Sequence, residues 1–312
     1  MRLFDLHCDT LSECDRLGCG LWENALDVDV SRLLRFSPGV QVFAAFVPDT
    51  LHGEAARDRG RRLLSLAGRL ADACPPLVRM RDGAALDRLT EGQCGMWLSA
   101  ENGAILGGKL SAVAELAAAG VRLLTLTWNG ENELGCGCMT GSAEGLKPFG
   151  RAVLTELAAY GILPDVSHLN EAGFWDVAAL TDAPLLATHS LSAAVHPHPR
   201  NLTDAQFDCI RDRGGLVGLN LCPAHLGGMQ FADFERHLAH FLERGGEHTV
   251  AMGCDLDGTA LPPGWPGIDT LFLLERRLLR DGFGEDVCDR LFYRNAYAFF
   301  RKYCIDKTDD LI

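Results

Sequence analysis

The chain opens with Leu3-Phe4-Asp5-Leu6-His7-Cys8-Asp9. Apolar and polar residues alternate along it, the period-2 pattern of a β-strand. It ends in His7-Cys8-Asp9, where an open dinucleotide-binding sheet would carry a glycine-rich phosphate turn. No G-x-G-x-x-G follows. Working outward, seven more short apolar runs repeat the pattern, at 40–47, 96–101, 121–128, 162–168, 184–189, 215–220 and 249–255. With 3–9 they predict eight strands. Helical patterns fill the gaps, at 53–73, 109–119, 151–160, 171–180, 204–213, 231–244 and 285–303. Gly120, Gly161, Gly214 and Gly245 stand where four of these helices should stop. Asn170 reads as the N-cap of 171–180. The run 77–80 reads as a small extra strand, and 271–279 as an amphipathic helix packed on the sheet. Eight serial βα units predict an α/β fold, a (β/α)8 TIM-like barrel, as a single domain over 1–312.

Composition agrees with a globular protein. Of 312 residues, 47% are hydrophobic and 23% charged, which excludes wholesale disorder. With 29 Lys+Arg against 42 Asp+Glu the formal net charge is −13. That acidity argues against nucleic acid or an anionic membrane as partner, but not against cations. No apolar run is long enough to span a bilayer. Asp5, His7 and Asp9 come too early for a signal peptide, and the chain closes on Asp310-Leu311-Ile312, so a cytoplasmic protein is expected. The 12 cysteines lack framework spacing and read as free thiols of a reducing compartment. Cys136-Gly-Cys138 has no second pair nearby and is not read as a metal site.

Metal-capable residues gather at the predicted strand ends. His7 and Asp9 end the first strand, Glu101 the third, His168 the fifth, His189 the sixth, and Asp255 and Asp257 the eighth. A barrel brings all eight C-terminal ends to one mouth. His7 and Asp9, two apart, should share a face. Asp5, one step deeper, reads either as a partner for His7 or as a surface acid. The remaining histidines, at 52, 196, 198, 225, 237, 240 and 248, read as mostly solvated, with His198 a candidate exception. Imidazole and carboxylate without thiolate suit zinc first among the borderline metals. Three histidines and two carboxylates exceed one open four-coordinate ion. They suit two ions about 3.5–4 Å apart sharing a carboxylate, able to acidify a bridging water and polarise a carbonyl. The expected chemistry is amide or ester hydrolysis. Asp255 is the expected proton shuttle.

These residues resemble the membrane (renal-type) dipeptidase family, a branch of the metal-dependent amidohydrolases. The matching stretches are Asp5-Leu6-His7-Cys8-Asp9-Thr10, Ser99-Ala100-Glu101-Asn102-Gly103, Leu124-Thr125-Leu126-Thr127-Trp128-Asn129, Asp165-Val166-Ser167-His168, Ala187-Thr188-His189-Ser190, His198-Pro199-Arg200-Asn201-Leu202-Thr203-Asp204, Arg213-Gly214-Gly215-Leu216-Val217-Gly218-Leu219-Asn220 and Gly253-Cys254-Asp255-Leu256-Asp257-Gly258. The resemblance implies a zinc dipeptidase with two Zn2+ per chain. His7 and Asp9 would hold one ion, His168 and His189 the other, and Glu101 would bridge them. Asp255 would be the acid/base residue. Arg200 would bind the dipeptide's C-terminal carboxylate through its guanidinium fork, with Asn201 beside it in substrate binding. The family cleaves dipeptides, tolerates a D-residue on the C-terminal side, and often forms homodimers.

One departure stands out. Many members have Leu-Thr-His after the fourth strand, a histidine associated with substrate contact; this chain has Leu126-Thr127-Trp128. Tryptophan cannot accept a proton or ligate zinc. Trp128 is read as a substrate-binding wall of the pocket or, alternatively, as plain core packing. The loop 129–150, with glycines at 130, 135, 137, 141, 145 and 150, should shape the mouth. Alternatives are an amidohydrolase for another amide or ester, such as an N-acyl amino acid or lactone, and a non-catalytic metal-binding barrel.

Overall fold

In a computed structural model, described over residues 1–307, all the expected strands form. They are β1 (Phe4–Cys8), β2 (Gly39–Phe46), β3 (Leu77–Arg79), β4 (Cys94–Glu101), β5 (Val121–Thr125), β6 (Leu163–Asp165), β7 (Leu186–Ala187), β8 (Leu216–Leu219) and β9 (Val250–Met252). Residues 308–312, which include the chain end read above, lie outside the described residues. Every pairing between these strands is parallel. The order runs β2-β1-β9-β8-β7-β6-β5-β4, and β2 also pairs with β4, so eight strands close into a ring. β3 is the expected extra strand. β5 pairs with β4 only from Leu98 upward, and β3 takes the lower edge of β4 from Cys94 to Met96.

Two apolar layers hold the ring. Phe4, Leu6, Val40, Val42, Trp97, Leu123, Leu186, Leu216 and Ala251, drawn from the barrel strands, form one cluster. Phe299 and Phe300 of the helix Asn295–Tyr303 join it, with the Phe300 ring 4.7 Å from Phe4 and 5.3 Å from Trp97. The last helix thus plugs the end of the barrel where β1 begins. The other cluster lies between strands and helices, and includes Leu271, Leu274 and Leu278 of the helix Thr270–Arg280. The helix Glu171–Leu180 forms as read, with the Asn170 side chain accepting from Gly173 N. The run expected at 285–303 carries one irregularity, a π-helical turn over Arg290–Arg294.

With one end plugged, the mouth at the strands' C-terminal ends is open for chemistry. Gly218 and Gly253 lie just beneath it. A Cβ on either would sit within 1.9 Å or 1.8 Å of the Thr188 carbonyl oxygen, so only glycine lets β8 and β9 approach there.

Candidate metal centre

Six side chains from the ends of five strands converge at this mouth. His7 comes from β1, Asp9 from just beyond it, Glu101 from β4, His168 from beyond β6, His189 from beyond β7 and Asp255 from beyond β9. Ligand atoms of His7, Asp9 and Glu101 lie within 4.8 Å of one another, as do those of Glu101, His168 and His189, and those of His7, His189 and Asp255. Glu101 is shared. Its Oε1 is 3.1 Å from His168 Nε2 and 3.7 Å from His189 Nε2, while its Oε2 is 3.5 Å from His7 Nε2. His7 Nε2 also stands 3.3 Å from Asp9 Oδ2 and 3.9 Å from Asp255 Oδ1.

Hydrogen bonds set which ring nitrogens carry protons. His168 Nδ1 lies 3.0 Å from Asn129 Oδ1, an acceptor, so Nδ1 holds the proton. Thr188 Oγ1 donates to Asp165 Oδ2 at 2.6 Å, which leaves its oxygen to accept from His189 Nδ1 at 2.8 Å. Both Nε2 atoms are therefore bare lone pairs, yet they face each other at 2.8 Å beside a carboxylate oxygen. Converging lone pairs repel unless a cation lies among them. His7 Nδ1 and Asp9 Oδ1 are also buried without a hydrogen-bond partner among the described residues. The donor set thus fits a divalent ion of zinc's preferences.

Electrostatics agree. Burial, with help from Arg200 and His7, holds His168 well below the usual imidazole range, and burial with His7 and Arg200 does the same for His189. Both are thus in the neutral, ligating form. Burial opposes charge on His7, but Glu101 and Asp9 outweigh it and hold its pKa well above the ordinary value. Burial raises Glu101, and Asp9 raises it further. Asp255 is pushed up to about 7 by burial, with His7 opposing and Asp9 and Glu101 adding to the rise.

Local backbone supports the cluster at a cost. His168 (φ 69°) and Asp255 (φ 62°) both adopt the left-handed conformation, which non-glycine residues rarely occupy. The surroundings hold them. Cys138 N donates to the His168 carbonyl at 2.7 Å, and Asn170 N to the Cys136 carbonyl at 3.1 Å, so the glycine-rich loop clasps the His168 turn. Gly137 lets the loop fold back on its own start, since a Cβ there would lie 2.2 Å from the Trp128 carbonyl oxygen. Neither Cys136 nor Cys138 falls in a metal-capable group among the described residues.

A cavity of about 330 Å³ opens over the cluster, lined by Asp9, Phe46, Glu101, Trp128, Asn129, His168, Arg200, Cys222, His225, Asp255 and Asp257 among others. Trp128 is half-buried, with its ring edge-on to Phe46 at 5.0 Å and 6.4 Å from the His168 ring. Arg200 is buried, donates from Nη2 to the His189 carbonyl at 3.0 Å, and leaves Nε without a partner among the described residues. It and His168 also line an adjoining cavity of about 560 Å³ with Cys138, Ser142 and Asn201. Asn201 lines that neighbour rather than the space over the cluster. Its amide donates to the carbonyls of His196 at 2.9 Å and His225 at 2.8 Å. Asp257 accepts from Thr10 Oγ1 at 2.6 Å and Asp27 N at 2.7 Å, and lies outside the metal-capable groups.

Two sequence expectations need correction. Asp5 is neither a hydrogen-bond partner of His7 nor a surface acid. It is fully buried and accepts from Gln41 Nε2 at 2.6 Å and Cys254 N at 2.7 Å. The β1–β2 register shifts between Asp5 and Cys8, which inserts one extra β1 residue and breaks the alternation that would align Asp5 with His7. Nor are the remaining histidines uniformly solvated. His237 is fully buried, and His225 lines the cavity over the cluster. Asn129, Asp165, Thr188 and Asn220 also serve the site unannounced. Each lies in a stretch that resembles the family, but nothing in residue type alone assigned it a role at the site.

Comparison with known proteins places this arrangement. The profile of the membrane dipeptidase family, peptidase family M19, matches residues 1–304. A metallopeptidase of family M19, dipeptidase AC, is 29% identical, with 97% of this chain and 99% of that one covered and a TM-score of 0.91. A metallopeptidase from Rhodobacter sphaeroides, solved with a phosphinate mimic of the dipeptide L-Ala-D-Ala, is 28% identical, with 98% and 99% covered and a TM-score of 0.90. An uncharacterised protein from the pqqA 5′ region of Klebsiella pneumoniae is 39% identical over 191 residues, 57% of this chain and 70% of its own length.

Proposed function

The chain belongs to the membrane dipeptidase family, peptidase family M19, and from that membership we propose a dinuclear zinc dipeptidase whose substrates include L-Xaa-D-Xaa dipeptides. The observation that carries the two-ion reading is Glu101, which turns one oxygen toward His168 and His189 and the other toward His7. In this reading His7 and Asp9 would hold one ion, His168 and His189 the other, and Glu101 would be shared between them. Zinc held there would acidify a water toward neutral pH and polarise the scissile carbonyl.

The chain's own residues do the rest. Asp255, at the cavity wall and 3.9 Å from His7, takes the proton from the attacking water and returns it to the leaving amine. Arg200, buried and cationic, binds the dipeptide's C-terminal carboxylate. Trp128 and Phe46 form an apolar wall that excludes water from one side of the substrate. Asn201 assists binding by fastening the Arg200 loop to the carbonyls of His196 and His225. The volume of about 330 Å³ suits a small ligand. The L-Ala-D-Ala mimic bound by the Rhodobacter sphaeroides relative supports a D-residue on the C-terminal side. Residues 1–312 are read as one catalytic domain. No helix among the described residues is long and apolar enough to cross a membrane. The unpaired state of all twelve cysteines supports a reducing compartment such as the cytoplasm.

The test is the initial rate on L-Ala-L-Ala, L-Ala-D-Ala and their N-acetylated forms, with zinc and again after chelation. Zinc-dependent cleavage of the free dipeptides is expected. Cleavage of only the acetylated forms would replace the dipeptidase reading with an N-acyl amidohydrolase. No cleavage by folded, zinc-loaded protein would end it.

A further inference from the structure

We propose that His225 is a second, neutral donor for the substrate's carboxylate, linked to Arg200 through the Asn220 amide and the His189 carbonyl. The inference rests on the reading of Arg200 as the carboxylate-binding residue and extends it to a two-point receptor.

The proton inventory begins at Asn220, which is fully buried. Its Oδ1 accepts from Cys222 N at 3.2 Å, which fixes the amide's orientation. Its NH2 therefore points the other way and donates twice, to the His189 carbonyl at 3.1 Å and to His225 Nδ1 at 3.1 Å. An amide nitrogen cannot accept, so His225 Nδ1 is the unprotonated nitrogen. A neutral imidazole in that position carries its proton on Nε2. Among the described residues Nε2 makes no hydrogen bond to the protein, and His225 lines the cavity over the metal-capable cluster. Burial pushes the His225 pKa down to about 3, with the Arg200 cation adding to the effect, so the ring stays neutral near pH 7.

The geometry ties this donor to Arg200. Arg200 Nη2 donates to the same His189 carbonyl at 3.0 Å. The guanidinium and the Asn220 amide that holds the imidazole thus hang from one oxygen, and guanidinium and imidazole line one cavity. The His225 loop is also fixed: its carbonyl accepts from Asn201 at 2.8 Å and its N–H donates to the Cys222 carbonyl at 3.0 Å. A cation beside a fixed neutral N–H gives a carboxylate both charge and direction. Direct donation to a charged group makes the second contact more than decoration.

The experiment uses the zinc-loaded full chain. Binding of Ala-Ala and of its C-terminal amide is measured by calorimetry, alongside turnover, for wild type, His225→Phe and His225→Gln. Wild type should prefer the carboxylate form. His225→Phe should shrink that preference by about tenfold to a hundredfold, raising KM with kcat little changed. His225→Gln, which retains an N–H donor, should recover part of it. Nitrogen-15 spectra, with the His225 signals assigned by their loss in His225→Phe, should show Nε2 protonated. An undiminished preference in His225→Phe, or a proton on Nδ1, would overturn the receptor. A wild type that prefers neither ligand would overturn it together with the Arg200 reading. Discrimination without turnover would sink the dipeptidase reading and leave the receptor standing.

Discussion

At the scale of single residues, the centre depends on where protons are not. His168 and His189 present bare Nε2 lone pairs because Asn129 and Thr188 take the protons of their Nδ1 atoms. Thr188 can accept because buried Asp165 takes its hydroxyl proton, along with donations from Thr125 Oγ1, Ser167 N and Thr188 N. Glu101 closes the set. Glu101→Gln keeps the shape and removes the charge on both sides of the bridge. Bound zinc, read by elemental analysis, should fall below two per chain. Activity should drop by at least about a hundredfold, because electrophilic assistance is worth several kcal/mol. Retention of full metal and rate would refute the bridging role. The metal-capable residues were legible because residue type and strand-end position suffice to nominate them. Asp5 was not, because one inserted β1 residue flips a face and leaves no trace in residue type. His225 was not, because its partner Asn220 becomes visible only when the β8 end and the following turn fold together.

At the scale of elements, strand and helix positions followed from period and punctuation, and boundaries moved by a few residues. The helix expected at 109–119 forms over Ala112–Ala118, and that expected at 151–160 over Pro148–Ala159. What periodicity could not reveal is how the loops are pinned. His237, on the helix Phe231–Glu243, is an example. Its Nδ1 accepts from Ser192 N at 3.1 Å and its Nε2 meets the Leu226 carbonyl at 3.2 Å, joining three segments. Burial lowers its pKa to about 4, with the Leu226 carbonyl opposing. A folded pKa below the unfolded value of about 6.5 means the stabilisation is full above that value and lost as pH falls through about 4. The swing is about 3 kcal/mol at most. Thermal unfolding between pH 7 and pH 4.5 should therefore decline more steeply in wild type than in His237→Gln, which does not titrate. Parallel declines would contradict the assignment.

At the scale of the whole molecule, ring closure turns five separate stretches into one site. The price of that convergence is three carboxylates, Asp9, Glu101 and Asp255, gathered in a chain of net charge −13. A divalent cation relieves their repulsion and binds only the folded arrangement. At zinc concentrations a hundredfold above the dissociation constant, the native state should gain about 2.7 kcal/mol. Chelation should lower Tm and added zinc restore it. A Tm indifferent to both would mean that no ion occupies the cluster.

The sequence by itself determined the alternation of strands and helices, the barrel, the family and the residue types that meet at its mouth. These depend on local period and on chemistry carried by single side chains. Only the tertiary structure decided which ring nitrogens are bare, that Asp5 turns away from His7, that Asn201 fastens loops, and that His225 enters the cavity. Each of those depends on register and on partners distant along the chain, since a hydrogen bond's direction is set by whatever group folding brings opposite it.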